Sequence, residues 1–533
     1  MKKKLYLAFP SIKLASPLEN GPIIQKLLDQ GQDGQLIIFP ALSLTGDGLG
    51  DLNMQPSILA ASLEALNNLS TKVPALIGLP IEIDDRLFSV MAYLEGDRVL
   101  GYYPIKSKEA IFCDPQLFPS DKVTDIELFD LSIYLDDEFN TPYQSYEFPT
   151  SPSLYLGCPE SYSISGGIHS SEYYFSGNVK ESARWNQGLV GLEVKLNKGL
   201  LKIHSYKEVI STIEGPYPFL RKSRDYQALL DFQARAYGNK LVRTGLAHSV
   251  IGISGGLDST WALIALKRAH ELMDLPLENI HCIVMPGFGS SQDTMDSATN
   301  FLKYLGFKGE VISIDTAVLQ HFRDLNHDPK VMNLVYENSQ ARERTQILMD
   351  LANKYNGLVV GTGDMSEIAL GWSTYNGDQM SMYGINASIP KTLIKDLIFW
   401  YASNSEEDLK KSLLHILGRP ISPELLPPDE KGAIIQKTEE QVGKYEIVDL
   451  ILYHFLMKKD LGEIYKNLES FYPQLSPKEI KDNLARFFSR FISQQFKRTA
   501  SPHGVKLTSP SILDFEMAAD LTSSYFLKEI EKL

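Results

Sequence analysis

Apolar positions in the first two hundred residues fall in short runs separated by polar segments rich in Gly and Pro. "LYLAF", "GQLIIFP", "VPALIGLP", "FSVMAYLEGDRVLGYYP", "IELFDLSIYL" and "SLYLG" each read as strands. Two segments have helical spacing instead: "NGPIIQKLLDQGQ" lies between the first two strands and "SILAASLEALNNLST" follows the second. The opening therefore alternates strand and helix, which predicts a layered α/β domain from Lys4 to about residue 212.

The segment "TIEGPYPFLRKSRDYQ" then gives way to strongly helical sequence, so a domain boundary is expected near 212–220, with domains of 1–215 and 216–533. Beyond it the order becomes strand, loop, helix, with "SVIGI", "ENIHCIVMP", "FKGEVISID" and "NGLVVGTGD" as the strands. That order predicts a doubly wound parallel sheet, a fold that binds ligands beyond the carboxyl ends of its strands. From about residue 405 to 533 the chain is polar and mostly helical.

Composition narrows the partner. A net charge of −14 over 533 residues argues against a generic nucleic-acid or anionic-membrane surface, so a small-molecule partner with a local basic site is expected. Cys113, Cys158 and Cys282 form no CxxC pair and have no metal-ligand spacing, which argues against a disulfide scaffold or a zinc site and suits a cytoplasmic protein. The start, "MKKKLYLAFPSIKLASP", has the basic residues of a signal peptide, but its apolar run ends at Pro10 and reads better as a strand. No apolar run approaches the ~20 residues of a membrane helix.

Candidate chemistry concentrates in "SVIGISGGLDSTWALIALKRA". A buried strand runs into the turn Ser254-Gly255-Gly256-Leu257-Asp258-Ser259-Thr260 and then a helix, which presents free backbone N–H groups and a positive dipole end to an anion. The plain alternative is a tight turn with Asp258 or Ser259 as N-cap. No GK[ST] occurs, so the lysine of a Walker loop is missing, which suggests that pyrophosphate departs as a unit.

"SGGLDST" resembles the ATP-pyrophosphatase loop of the adenine nucleotide alpha-hydrolase-like enzymes: NAD, GMP and asparagine synthetases and tRNA-modifying enzymes. The downstream blocks "VMPGFGSSQDTMDSATNFLKYLGF", "ENSQARERTQILMDLANKYNGLVVGTGDMSEIALGWSTYNGD", "INASIPKTLI", "SPELLPP", "KYEIVDLILYHFL" and "FKRTASPHGVKLT" resemble the NAD synthetase family in order. The resemblance implies ATP-dependent amidation of nicotinic acid adenine dinucleotide to NAD through an acyl-adenylate, with ammonia as nucleophile. It implies that Asp258 and Glu367 hold Mg²⁺, that Ser254, Gly255, Gly256, Ser259 and Thr260 cradle phosphate, and that Thr362 contacts ATP. Lys391 is expected to be catalytic, and Asn338, Arg342, Asp378, Lys497 and Arg498 to contact substrate. Arg342 and Arg344 are two apart on a helix and cannot share a face, so one is expected at substrate and the other at a carboxylate or solvent. The family has an amide or lysine near Asp364-Met365, Cys282 reads as core, and a homodimer or higher homo-oligomer is expected.

The first domain resembles, more loosely, the nitrilase-like glutaminase domain of the two-domain, glutamine-dependent members. It carries "IIFPALSLTGDGLGDL", "IFCDPQLF", "LSIYLDDEF" and "LYLGCPESYS" where that domain has its working segments. Such chemistry needs a glutamate base, a lysine and a cysteine nucleophile. The matching positions hold Ala41, Tyr103 and Tyr134, although Lys106 and Lys108 lie close to the lysine position. Cys158 as a relocated nucleophile lacks a base. The expectation is a degenerate glutaminase domain and an enzyme using ammonia, with three alternatives: a relocated triad, an amidoligase for another acid, or a silent nucleotide-binding scaffold.

Overall fold

The computed structural model describes residues 4–10, 12–33, 35–46, 49–105, 111–122, seven short strands between 132 and 202, and 226–533 apart from 420, 422–425, 427–440, 508–510, 516 and 519–520. The chain divides into two compact units, Met1–Ser211 and Thr212–Leu533.

In the first unit β1 (Lys4–Phe9), β2 (Gln35–Ile38) and β3 (Thr71–Ile83) are parallel neighbours, and β4 (Arg86–Gly96) and β5 (Arg98–Pro104) extend the sheet antiparallel. Helices α1 (Pro17–Leu28) and α2 (Pro56–Asn67) make the crossovers. Each begins with Pro, whose fixed φ suits the first helical turn and whose missing N–H costs nothing there. Ile24, Leu28 and Leu66 from the helices pack on Ile37, Ile77 and Val90 from the strands. A separate sheet runs in the order β6 (Ser132–Leu135), β7 (Ser153–Leu156), β8 (Tyr173–Phe175), β9 (Asn178–Lys180). The strand β10 (Gly188–Glu193) pairs antiparallel with β1, and β11 (Lys195–Asn197) pairs with β12 (Leu200–Lys202).

The second unit opens with α3 (Tyr226–Thr244) and builds a parallel sheet from β13 (His248–Gly252), β14 (Ile280–Val284), β15 (Gly309–Val311), β16 (Gly357–Gly361) and β17 (Tyr383–Gly384). Their spatial order is β15-β14-β13-β16-β17. The connecting helices are α4 (Leu257–Leu272), α5 (Gln292–Leu305), α6 (Asp315–Asp324), α7 (Leu334–Tyr355) and α8 (Met365–Leu370). Two more, α9 (Lys391–Ser403) and α10 (Glu407–Gly418), follow the sheet.

The helical tail comprises α11 (Tyr445–Leu456), α12 (Leu461–Phe471), α13 (Pro477–Ser493), α14 (Gln495–Thr499) and α15 (Ser524–Lys532). α13 is set by a Ser476–Glu479 capping box with Pro at its first position. Its Ile480, Leu484, Phe487, Phe488 and Phe491 recur at helical spacing and are fully buried against α11 and α8, each contributing roughly 1.5–3 kcal/mol of apolar burial. Among the described residues no helix is long and apolar enough to cross a membrane.

Candidate active site

The strand order creates a switch point. From β13 the chain moves first to β14 on one side and later to β16 on the other, so the crossovers diverge where β13 ends. A cavity of about 330 Å³ lies there, bounded by Ser254–Ser259, Val284–Pro286, Gly361–Thr362, Glu367 and Asp378.

The glycine loop forms its floor. Gly255 has φ +78°, and a Cβ there would stand 2.9 Å from the Thr294 carbonyl oxygen, so the left-handed turn and the close packing on α5 both demand glycine. Gly256, not Asp258 or Ser259, is the N-cap of α4. The hydroxyls shape the loop internally: Gly256 N–H donates to Ser254 Oγ at 3.2 Å, and Ser259 Oγ and Thr260 Oγ1 donate to the Gly256 carbonyl at 3.2 and 2.8 Å. Asp258 is thereby released from capping its own helix.

Its carboxylate turns to Lys391. The buried ammonium lies 2.6 Å from Asp258 Oδ2, 2.6 Å from Asp364 Oδ2 and 2.9 Å from Glu367 Oε1, with the Tyr445 ring centroid 5.3 Å away. Lys391 and Asp364 are wholly buried, while Asp258 and Glu367 open slightly toward the cavity. The attraction of three carboxylates outweighs burial and holds the ammonium well above the usual lysine range. Burial pushes Glu367 up to about 7 despite Lys391, and it raises Asp364 as well. Three carboxylates around one ammonium would carry a surplus of negative charge if all ionised, and Asp258 Oδ1 is buried with no hydrogen-bond partner among the described residues. One oxygen from each of Asp258, Asp364 and Glu367 lies within 4.8 Å of the others. Hard anionic oxygens, a charge surplus and an unpartnered lone pair fit a hard divalent cation.

Asp449 on α11 fixes the cluster from behind. Its carboxylate accepts from Ser366 Oγ at 2.5 Å and from Thr392 N and Oγ1 at 3.0 and 2.7 Å, while Lys391 N donates to Ser366 Oγ at 2.9 Å. The starts of α8 and α9, which carry Glu367 and Lys391, are thus locked together. Burial pushes Asp449 up to about 6 in spite of these donors.

The sequence model of the NAD synthase family matches residues 233–499, which is half of the chain. The chain belongs to the NAD synthase family. The glutamine-dependent NAD(+) synthetase of Mycobacterium leprae (strain TN) is 34% identical over 397 residues, covering 68% of this chain and 58% of that protein. That of Mycobacterium tuberculosis H37Rv is 34% identical over 352 residues, covering 59% and 51%. The chain thus spans about half the length of the curated relatives it matches. A glutamine-dependent NAD(+) synthetase from Cytophaga hutchinsonii superposes with TM-score 0.73 at 14% identity, covering all of both chains. One from Acinetobacter baumannii in complex with ADP gives TM-score 0.64 at 18% identity over 97% and 98%. At these identities the likeness is one of fold. It is the architecture expected of the chain, a layered α/β unit and a doubly wound parallel sheet with a helical tail.

The remaining positions that resemble the family scatter around this centre. Thr362 lines the cavity, and its carbonyl accepts from Asn386 Nδ2 at 3.0 Å; the same amide reaches the Asp258 carbonyl at 3.0 Å. Asp378 accepts from Thr374 N at 2.7 Å, and Thr374 Oγ1 donates to Asn338 Oδ1 at 2.8 Å, so these residues brace one loop. Arg344 lines the cavity and donates to the Met285 carbonyl at 3.0 Å. Arg342, the one expected at substrate, is exposed and donates to the Tyr375 carbonyl at 3.3 Å, outside the cavity lining. Lys497 caps the end of α8, donating to the Gly371 and Ser373 carbonyls at 2.8 and 2.6 Å, and lines a second, smaller cavity beside Glu367. Arg498 lines neither cavity; it ties the carbonyls of Ala369 and Phe491 together and stacks on Phe491, where burial lowers it to about 10. Its place is in the scaffold of the tail.

In the first unit Ala41 is half-buried in the turn after β2, Tyr103 lies on β5 with 41% exposure, and Tyr134 lies on β6. Lys106, Lys108 and Cys158 fall outside the described residues. Cys282 is buried in β14, which pushes its thiol up to about 12, in keeping with a core role.

Sequence reasoning missed Asp364, Asp449 and Arg419. Asp364 stands where the family has an amide or lysine, and Asp449 stands in the matched "KYEIVD" segment, so both had a signal. Nothing in the pattern marks Arg419, which lines the cavity because α10 ends there.

Proposed function

We propose that the chain is an ATP-dependent NAD synthetase that amidates nicotinic acid adenine dinucleotide with ammonia. The observation that carries this reading is the Asp258–Asp364–Glu367 cluster around Lys391 at the rim of the switch-point cavity, beside a glycine loop with no lysine. In this reading the N-terminus of α4 and the loop N–H groups receive the ATP phosphates. Asp258 and Glu367, with Asp364, would hold Mg²⁺, which when bound supplies neutralisation of the departing pyrophosphate. The nicotinate carboxylate attacks the α-phosphorus and pyrophosphate leaves; ammonia then attacks the acyl carbon and AMP leaves. Lys391 supplies positive charge at the reacting end, while Asn338 and Asp378 brace the loop that meets the dinucleotide.

Ammonia is the donor in this reading because Ala41 has no proton acceptor and Tyr134 is a poor nucleophile, a phenol having a pKa near ~10. The first domain, 1–215, is then a silent glutaminase domain attached to a synthetase domain of 216–533, in a cytoplasmic enzyme that is a homodimer or a higher homo-oligomer. The test supplies the full chain with the dinucleotide and Mg²⁺-ATP, and compares ammonium, glutamine and no nitrogen source while following NAD and pyrophosphate. NAD is expected with ammonium, and glutamine is expected to do no better than no nitrogen source. Strong glutamine-driven synthesis abolished by Cys158→Ala would overturn the ammonia reading, and pyrophosphate release only with a different acid would overturn the substrate.

A further inference from the structure

We infer that Arg419 is the cation that binds the departing pyrophosphate portion of ATP, supplying from α10 the charge that a lysine-free glycine loop lacks. The inference rests on the reading of the cavity as an ATP site.

Arg419 follows the last turn of α10 in extended conformation, with φ −79° and ψ 148°, and its side chain is laid across the loop. Its Nη1 donates to the Gly255 carbonyl at 3.3 Å, its Nη2 to Thr294 Oγ1 at 2.5 Å, and its Nε lies 3.1 Å from Asp293 Oδ2. The guanidinium therefore bridges the glycine loop and the first turn of α5, and it lines the cavity. Thr294 is held in turn by Ser291, the N-cap of α5. α10 itself packs along α5, and a second contact from it, His415 to Asp293 at 3.3 Å, fixes the approach.

The placement of the cations, rather than their number, points the same way. Among the described residues lining the cavity the cations are Arg344 and Arg419, and the anions are Asp258, Glu367 and Asp378. Arg344 is bonded to the Met285 carbonyl at the end of β14, whereas Arg419 touches the loop itself. Arg419 is only 15% exposed, while its partner Asp293 is 59% exposed. A solvated carboxylate offsets a largely desolvated guanidinium only weakly. A planar guanidinium also matches phosphate oxygens in pairs, which an ammonium cannot do. Adenylation keeps the α-phosphate on the nucleoside and sends the other two away together. A cation anchored on the loop, apart from the Lys391 cluster, suits the part that leaves.

The test is calorimetric titration of the full chain and of R419Q and R419K with Mg²⁺-ATP, Mg²⁺-pyrophosphate and AMP, with thermal unfolding of each variant as a control. R419Q is expected to weaken ATP and pyrophosphate about tenfold or more, the worth of one charge-assisted hydrogen bond, and to leave AMP within about twofold. R419K is expected to lose part of the same affinity, again sparing AMP, and it carries the test if R419Q does not fold. Equal weakening of ATP and AMP would show that Arg419 only shapes the loop and would overturn the inference, as would unchanged pyrophosphate binding. Failure of the unaltered chain to bind either ATP or pyrophosphate would instead overturn the ATP-site reading.

Discussion

The ammonium of Lys391 lies 2.6 Å from Asp364 Oδ2, and neither side chain reaches solvent. Two further carboxylates approach the same nitrogen, so removal of this one cation leaves a buried anionic cluster with no counter-charge. Lys391→Met is expected to cost about 3–5 kcal/mol of stability in a chelator, the usual penalty for breaking a buried ion pair from one side. Mg²⁺ is expected to restore more of that loss than it adds to the unaltered chain. Chemical unfolding with and without Mg²⁺ measures both.

Asp258 has one oxygen on Lys391 and one with no hydrogen-bond partner among the described residues. Asp258→Asn keeps the shape and removes the charge. It is expected to slow pyrophosphate release by a factor on the order of 10²–10³, comparable to loss of one electrostatic group at a reacting centre. A rate within threefold of the unaltered chain would remove Asp258 from the metal set.

Gly255→Ala places a methyl group 2.9 Å from the Thr294 carbonyl at φ +78°. The combined strain is expected to cost about 1–3 kcal/mol and to weaken ATP binding, because the loop must shift away from α5. Thermal unfolding and nucleotide titration of the same sample check the two effects.

Asp449 titrates in the native protein at about 6, above its ordinary value of 3.8. The folded form therefore holds this proton more tightly than the unfolded form. Its contribution to stability is fully present below pH ~4 and is lost as pH rises to ~6, about 3 kcal/mol in all. Asp449→Asn cannot ionise, so its stability deficit relative to the unaltered chain is expected to shrink by about that amount between pH ~4 and ~7. Urea unfolding across this range measures the difference, and a constant deficit would contradict the raised value.

The strands "SVIGI", "IHCIVMP", "EVISID" and "GLVVG" were legible in the sequence because each is an apolar run bounded by turn residues, and the structure places β13 to β16 on them. β17 was not legible, since two residues carry no periodicity and their pairing is set by tertiary contact. The same division runs through the site. Gly255, Gly256 and Asp258 are neighbours in the chain and announce themselves as a motif. Asp449 lies in a segment with a motif of its own, but Arg419 reaches the site through the packing of α10, which no local pattern encodes. The Arg342 and Arg344 pair shows the limit of spacing arguments: helical geometry says that the two diverge, but only the packed position of α7 decides which one faces the cavity.

The segment after α14 contributes no charged group to the cluster, yet it crosses the loop that follows β17: Gly384 N donates to the His503 carbonyl at 2.8 Å, and Ser388 Oγ joins the Val505 carbonyl and Leu507 N at 2.6 and 2.9 Å. Ser388 stands three residues before Lys391, so the lysine's approach to its carboxylates is clamped by chain made more than a hundred residues later. During synthesis the glycine loop and its strand emerge early, whereas the ammonium is clamped in position only after residue 507 has left the ribosome. A chain ending short of that point lacks the hydrogen bonds that hold the segment leading to the lysine.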